Sequence, residues 1–331
     1  MASTVNTAFS EFLKNTVNLD PNQTNNARSS RNWLVTQIHG FSGNDGFPYL
    51  YNEKDIFYGS FARKTKIREL DDIDIMIALS AQGGVYYETS GKIEIVVDDR
   101  APNLLTVCHD YTKTINSRKV INKFINKLNS VSQYEKAGIS RNAEAATLKL
   151  KTYTWNFDIV PCFFTQPEWD GRTYYLIPDG VGNWKKTDPR IDNARTTEIN
   201  QLHSGKVLNA IRIMKYWNKR PTMPTMPSYL LECLFLTYFN NLTSCPDYID
   251  FVFKDMLEYL TRAVFCSVQD PKNIQGDLNI LTFEQMRRIS DKAKSDYNKA
   301  VQAISIELSG DHKGSIGKWR EIFGEAFPQY T

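Results

Sequence analysis

The spacing of apolar residues divides the chain into two regions. Short apolar or alternating runs fill residues 56–178, namely IFYGSF, IDIMIAL, KIEIVV, TLKLKTYTW, FDIVPCFF and TYYLIP. Runs of this length and pattern are typical of β-strands. After about residue 200 the apolar residues recur at helical spacing instead, as in HSGKVLNAIRIMKYWNK and SYLLECLFLTYF. The pattern predicts an α+β chain with a mixed β-sheet lobe followed by a helical lobe.

Local signals place several helices. Asp20 followed by Pro21 predicts a helix start within a largely helical first fifty residues. A helical segment at 117–128 interrupts the strands, and Thr282 with Gln285 forms a capping box before a long helix. Each of these signals is local, so we expect helices to begin at these positions.

The chain has 331 residues, which is enough for roughly two domains. Neither an internal repeat nor a low-complexity linker separates the two regions. We therefore expect one bilobed body. Residues 1–200 would form a lobe of N-terminal helices and sheet, and residues 201–331 would form the helical lobe that completes a groove for substrate.

Composition excludes several classes of protein. The chain carries 40 basic and 37 acidic residues, spread along its length, so bulk electrostatic binding of long nucleic acid is not indicated. Five cysteines without a C-x-x-C pair and four scattered histidines favour neither a disulfide framework nor a zinc site. No stretch is apolar for the eighteen or so residues of a membrane span, and the N-terminus lacks a leader pattern. We expect a soluble, cytoplasmic protein.

Two acids interrupt the strand in GSFARKTKIRELDDIDIMIAL. Side chains two apart share a face of a strand, so Asp72 and Asp74 project together while Ile73 and Ile75 point into the core. An ordinary half-exposed strand is the alternative interpretation. Two adjacent carboxylates repel each other unless a cation such as Mg²⁺ uses both as ligands. The pair alone leaves both interpretations open, with the ordinary strand favoured.

A third acid and a glycine turn strengthen the metal-site interpretation. Asp158 interrupts the apolar strand FDIVPCFF. Burying an isolated carboxylate there would destabilise the fold by several kcal/mol, on the order of the cost of burying any polar group without a partner. An adjacent strand would bring it to the other two acids, and three carboxylates could hold two metal ions about 4 Å apart, as in two-metal phosphoryl chemistry. Gly59 and Ser60 precede the first acids and offer N–H groups and a hydroxyl to a phosphate.

These motifs resemble those of a known family. GSFARKTKIRELDDID followed by FDIVP resembles the catalytic signature of the polymerase-beta-like nucleotidyltransferases. Three later segments occur in the order found in the bacterial cGAS/DncV-like nucleotidyltransferases, or CD-NTases, namely YLIPDGVGNWKKTDPR, RIMKYWNK and MPSYLLE. The resemblance covers residues 56–239, with a matching helical tail. It implies the polymerase-beta-like nucleotidyltransferase fold and the synthesis of a cyclic di- or trinucleotide from nucleoside triphosphates.

The resemblance also implies roles for the motif residues. Ser60 with the Gly59 backbone would grip the donor triphosphate, and Asp72 and Asp74 would hold two Mg²⁺ ions, with Mn²⁺ as a substitute. Asp158 would bind the metal nearest the acceptor hydroxyl and help to take or orient its proton.

The acid before the pair leaves a second register open. Asp71 also precedes Asp72, so a shift by one strand position is conceivable. Asp71 and Asp72 cannot share a face, which favours Asp72 with Asp74.

The later segments RIMKYWNK and MPSYLLE contain further candidate nucleotide-binding residues. By resemblance, Lys215 reaches the triphosphate tail, although a solvated basic helix face is the alternative. Ser228 contacts the triphosphate, and it could equally be the N-cap of the next helix. Tyr229 stacks on a base, or packs as an ordinary core aromatic. The FARKTKIREL segment, with Arg63, Lys64 and Lys66, is interpreted as a basic lid beside the triphosphate.

The resemblance places the chain in bacterial anti-phage signalling (CBASS). The substrates would be NTPs including ATP, and the product would activate an effector protein encoded separately. The zinc-binding segment of animal cyclic GMP-AMP synthase has no counterpart, so we expect no double-stranded DNA activator. We also expect no membrane association and a monomer. Two alternatives remain: a nucleotidyltransferase that makes linear oligonucleotides or modifies a protein or small molecule, and a non-catalytic nucleotide-binding partner protein. The bases, the linkage and the ring size stay open.

Overall fold

The structure is a computed structural model that describes residues 2–221 and 223–331. The chain forms two compact units. The sheet unit comprises Asn22–Ala62 and Glu69–Arg190, and the helical unit comprises Met1–Pro21, Arg63–Arg68 and Ile191–Thr331. Compared with the expected division at residue 200, the first 21 residues and a short internal segment therefore belong with the C-terminal helices.

Within the described part of the chain, nine strands form one mixed sheet. They are β1 (Ile56–Tyr58), β2 (Asp72–Leu79), β3 (Val85–Thr89), β4 (Lys92–Val96), β5 (Gly138–Asn142), β6 (Ala145–Lys149), β7 (Asn156–Phe164), β8 (Tyr175–Pro178) and β9 (Trp184–Thr187). The main strand order is β1-β2-β7-β8-β9-β4-β3, while β6 pairs with β5 and also with β7. Strands β2 and β7 run parallel, and every other pairing is antiparallel. The predicted mixed sheet is confirmed.

The helices of the described residues are α1 (Val5–Phe12), α2 (Pro21–His39), α3 (Gly59–Ala62), α4 (Pro102–Leu105), α5 (Ser117–Asn129), α6 (Pro189–Leu202), α7 (Val207–Asn218), α8 (Ser228–Asn240), α9 (Ile249–Ala263), α10 (Phe283–Leu308) and α11 (His312–Phe323). Helices α2 and α5 begin where the sequence predicts. The predicted capping box is also present, because the Gln285 N–H donates to the Thr282 hydroxyl at 3.3 Å and the Thr282 N–H donates to Gln285 Oε1 at 2.9 Å. No helix among the described residues is both long and apolar enough to cross a membrane.

Each unit has its own apolar core. In the helical unit, aromatic side chains from α1 and α11 meet edge to face, with ring centroids of Phe9 and Trp319 4.9 Å apart. In the sheet unit, one face of β2 and β7 carries the fully buried side chains of Met76, Ala78 and Cys162. This second cluster matters for the site, because the acids of the motif lie on the same face.

Candidate active site

The three motif acids converge at one end of the parallel strands β2 and β7. Asp74 is paired directly with Asp158 across the two strands, and Asp72 is paired with Asn156. One carboxylate oxygen from each of Asp72, Asp74 and Asp158 lies within 4.8 Å of the corresponding oxygens of the other two. The structure therefore brings together three acids that are far apart in the sequence.

The alternation of β2 produces this arrangement. Ile73 and Ile75 are buried, whereas Asp72 and Asp74 are half-buried on the opposite face. Asp71 precedes the strand and is exposed, and its carbonyl accepts a hydrogen bond from the Asn156 N–H at 2.9 Å. The one-residue shift that the sequence left open is therefore excluded.

The acid cluster suits a divalent cation. Its donors are carboxylate oxygens, which Mg²⁺ and Mn²⁺ prefer. The same face continues into the apolar side chains of Met76 and Ala78, so water has limited access from that side. Three like charges held close together in partial burial are unfavourable without a cation. The donor set and its surroundings thus fit the expected metal site.

Two uncharged residues extend the pair of acids into a row across four strands. Tyr58 on β1 is paired with Asp74, and Thr147 on β6 is paired with Asp158. Directly paired residues point to the same face of a sheet, so all four side chains project together. The Thr147 hydroxyl donates to Asp158 Oδ1 at 2.5 Å. Burial, together with the Asp74 and Asp158 carboxylates, raises the pKa of Tyr58 well above its ordinary value, so its hydroxyl stays neutral.

Sequence reasoning missed Tyr58 and Thr147. Their side chains carry no unusual local pattern, and only the pairing of β1 with β2 and of β6 with β7 brings them to the acids. A cross-strand register is a long-range property that a single sequence does not display.

Gly59 lies against the same acids. The strand predicted for IFYGSF ends at Tyr58, and the short helix α3 begins at Gly59 with a φ of +73°. A β-carbon at Gly59 would lie 1.8 Å from Asp74 Oδ2. Ser60 follows in the first turn of α3 and is half-buried. The glycine-serine pair therefore directly adjoins the acid cluster.

Lys215 lies in the helical unit and is only 5% exposed. It forms an ion pair with Glu232 on α8, and its ammonium group also donates to the Thr65 hydroxyl at 3.3 Å. Arg63 Nε contacts the other oxygen of Glu232 at 2.9 Å. The solvated basic face that was the alternative for Lys215 is wrong, because the side chain is buried. The Arg63 side chain, in the segment predicted as a basic lid, is 8% exposed and paired with Glu232.

Burial raises the pKa of Glu232, yet the adjacent Arg63 and Lys215 cations outweigh burial and hold the pKa below its ordinary value. The carboxylate is therefore ionised and sits between two cations. The three side chains form a buried charge cluster with one net positive charge.

Helix α8 starts with Ser228 and Tyr229. Pro227, not Ser228, occupies the N-cap position, and Ser228 is exposed in the first helical turn. The N-cap interpretation of Ser228 is therefore wrong. Tyr229 is half-buried, and its hydroxyl donates to Asp192 Oδ1 at 2.7 Å. Lys272 lies 4.4 Å from the centroid of the same ring.

The chain is similar in sequence to known enzymes. No family model matches the chain. A probable cyclic nucleotide synthase of Bacillus cereus strain VD146 is 44% identical over 332 residues, which cover 100% of this chain and 99% of that protein. The chain belongs to the CD-NTase family. It is thus a nucleotidyltransferase of the cyclic nucleotide synthase type. The cyclic AMP-AMP-GMP synthase of Enterobacter hormaechei is 25% identical over 169 residues, covering 49% of this CD-NTase and 44% of that enzyme.

Solved structures show the same fold. Escherichia coli MS115-1 CdnC in its complex with HORMA-deltaN has a TM-score of 0.70 and 15% identity, with 98% of each chain covered. CdnC with ATP gives a TM-score of 0.69 over the same share of each chain. The apo form of Vibrio cholerae DncV has a TM-score of 0.60 and 14% identity, covering 84% of this CD-NTase and 69% of DncV. The α+β polymerase-beta-like nucleotidyltransferase fold is confirmed.

The CD-NTase family and the convergence of three acids were both predicted correctly from the sequence. The roles of single residues stay predictions. The sheet unit contains the acids with Gly59 and Ser60, whereas Lys215, Ser228 and Tyr229 belong to the helical unit.

Proposed function

We propose that this CD-NTase joins nucleoside triphosphates, ATP among them, into a cyclic di- or trinucleotide. In each step a ribose hydroxyl oxygen forms a bond to an α-phosphorus, the bond from that phosphorus to the bridging oxygen breaks, and pyrophosphate leaves with the electron pair. The observation that carries the proposal is the cluster of Asp72, Asp74 and Asp158 oxygens within 4.8 Å of one another.

The proposed roles follow the position of each side chain. Asp72, Asp74 and Asp158 hold the divalent cations, two Mg²⁺ ions or Mn²⁺ in their place. When bound, these cations stabilise negative charge on the phosphates and increase the acidity of the attacking hydroxyl. Asp158 also orients the acceptor hydroxyl and receives its proton.

The glycine-serine turn grips the donor triphosphate. The Ser60 hydroxyl and the backbone N–H groups that begin at Gly59 donate to phosphate oxygens. The absence of a side chain at Gly59 supports this role, because it lets the turn lie directly against Asp74.

Three residues of the helical unit are further candidates for binding nucleotide. Lys215 balances charge on the triphosphate as part of its cluster with Arg63 and Glu232, whose net charge is positive. Ser228 donates to a phosphate from the exposed first turn of α8, where the helix N-terminus also favours an anion. The Tyr229 ring stacks on a base.

We propose that the enzyme acts as a monomer in the bacterial cytoplasm, without a double-stranded DNA activator. Its product activates a separately encoded effector in anti-phage defence (CBASS). ATP as a substrate is supported by the CdnC structure with ATP and by the name of the cyclic AMP-AMP-GMP synthase.

The test uses the purified full chain with NTPs labelled at the α-phosphate, Mg²⁺ or Mn²⁺, and subsequent phosphatase treatment. We expect labelled product that resists phosphatase and has the mass of a cyclic di- or trinucleotide. If the phosphatase-resistant label has the mass of a dephosphorylated linear oligonucleotide while pyrophosphate is released, the enzyme makes linear products, and cyclisation is refuted. If no pyrophosphate is released at all, the non-catalytic alternative is supported instead.

A further inference from the structure

Thr147 stands next to the acid that is nearest the proposed acceptor. It lies on β6 in direct antiparallel pairing with Asp158 on β7. Its Oγ1 donates to Asp158 Oδ1 at 2.5 Å, the short distance typical of a hydroxyl donating to a carboxylate. The hydrogen bond therefore links two neighbouring strands of the sheet, β6 and β7.

This hydrogen bond restricts the orientation of the carboxylate. The terminal torsion of an aspartate is broad, so its two oxygens can rotate easily when nothing holds them. Thr147 is β-branched and lies in a strand, so its own χ1 is restricted. A donor held in this way fixes one oxygen of Asp158. The carboxylate then keeps a single orientation toward Asp72 and Asp74.

Thr147 is a polar residue between buried apolar residues of β6. Ala145, Ala146 and Leu148 on the same strand are buried, and Thr147 is half-buried beside the acid. A valine would have the same shape and equal preference for a strand. The hydroxyl adds only the ability to donate a hydrogen bond, and the partner that receives it is Asp158.

We propose that Thr147 is a positioning residue for the metal site. Its hydroxyl holds Asp158 so that the three carboxylates form a preorganised divalent-cation site before nucleotide binds. The proposal rests on the proposed function in one respect, the use of the acid cluster to bind metal. It adds a residue that acts through Asp158 without contacting the metal or the substrate.

The test measures metal binding without nucleotide. Mn²⁺ is titrated into the purified full chain, and free Mn²⁺ is followed by its electron paramagnetic resonance signal. Thr147→Val removes the donor and keeps the shape of the side chain. We expect its Mn²⁺ affinity to fall about 10- to 100-fold, the usual effect of losing a hydrogen bond to a metal ligand. Thr147→Ser keeps the donor and is expected to bind Mn²⁺ close to the wild-type affinity.

A matched control separates positioning from general weakening of the sheet. Thr165 directly follows β7 at the end away from the acids, and its hydroxyl accepts from the Tyr174 N–H at 2.9 Å. Thr165→Val makes the same chemical change there, so we expect lower thermal stability with unchanged Mn²⁺ affinity. Turnover gives a second readout, because raising Mn²⁺ should restore much of the activity of Thr147→Val.

The outcomes are distinct. Wild-type Mn²⁺ affinity in folded Thr147→Val overturns the proposal, and so does an equal loss in Thr165→Val. If Thr147→Val does not fold, Thr147→Ala is titrated in the same way, and wild-type affinity there also overturns it. The cyclic-product assay is independent of this titration. If the Mn²⁺ affinity depends on Thr147 but the wild-type chain makes no cyclic product, the proposed function is refuted and the positioning role stands.

Discussion

Gly59 and the carboxylate of Asp74 are so close that a β-carbon at Gly59 would lie 1.8 Å from Asp74 Oδ2. Gly59 also has a φ of +73°, in the left-handed region that side chains disfavour. The two requirements are separate, since one concerns the backbone of Gly59 and the other the space that Asp74 needs. Together they link the glycine turn to the position of a metal-binding acid.

Gly59→Ala is expected to lower cyclic product formation by about 100-fold, the scale seen when a reacting group is displaced by about 1 Å. The added methyl group must displace Asp74. The left-handed backbone alone should cost about 1–2 kcal/mol of unfolding free energy. Product formation is measured with labelled NTPs, and stability by urea denaturation.

Gly91→Ala is the matched control for this prediction. Gly91 has a φ of +77°, and a β-carbon there would meet nothing within 4 Å. We expect a similar loss of stability with activity retained. Equal activities of the two variants would show that the contact between Gly59 and Asp74 does not matter for catalysis.

The double substitution of Asp72→Asn and Asp74→Asn is expected to abolish both product and Mn²⁺ binding. The unfolding free energy without metal should stay the same or rise, because two like charges no longer repel each other. Asp71→Asn is the control, since Asp71 is exposed and precedes the strand. Loss of folding in the double variant would instead assign the acids a structural role.

The sequence predicted those features of the site that depend on local periodicity. The period of two in β2 places Asp72 and Asp74 on one face regardless of what surrounds the strand. The interruption of an apolar run by Asp158 was equally visible. The starts of α2 and α10 follow from proline and capping signals a few residues long.

Long-range pairing explains most of what the sequence did not reveal. The contact of Thr147 with Asp158 depends on the register of β6 with β7. The cluster of Arg63, Lys215 and Glu232 depends on how α7 and α8 pack with the segment that follows α3. Strand β3 was missed because it lies at the sheet edge and is mostly exposed. Its sequence therefore lacks the alternation of apolar and polar residues that predicts a half-buried strand. Helix α11 was missed because two glycines interrupt its helical pattern.

Glu232→Gln tests the buried charge cluster. The substitution leaves Arg63 and Lys215 buried without a counter-charge, so we expect a loss of about 3–5 kcal/mol in the unfolding free energy. Urea denaturation at neutral pH measures the change. Glu258→Gln, at an exposed position of α9, is the control and should change stability by no more than about 0.5 kcal/mol. A small effect at Glu232 would mean that water or rearrangement solvates the two cations.

The same carboxylate predicts a dependence of stability on pH. The folded-state pKa of Glu232 lies below its unfolded-state value, which is about 4.3 for glutamate. Its contribution to stability is therefore complete above about pH 4.3 and is lost as the pH falls through the lower folded-state pKa. We expect the difference in unfolding free energy between the wild type and Glu232→Gln to shrink below that pH. A difference that stays constant on acidification would contradict the lowered pKa.

Two substitutions of Tyr229 separate the contribution of its ring from that of its hydroxyl. Tyr229→Phe loses the donation to Asp192 and should cost about 1.5–3 kcal/mol of stability, the value of a hydrogen bond to a charged group. It keeps the ring, so KM for the NTPs should hardly change. Tyr229→Ala also loses the proposed stacking surface, and KM should rise about 5- to 150-fold, equivalent to about 1–3 kcal/mol of stacking. Steady-state kinetics on both variants at saturating Mg²⁺ distinguishes the two effects. If Tyr229→Phe raises KM as much as Tyr229→Ala, the ring does not bind the base, and Tyr229 acts instead through its hydroxyl contacts with Asp192 and Lys272.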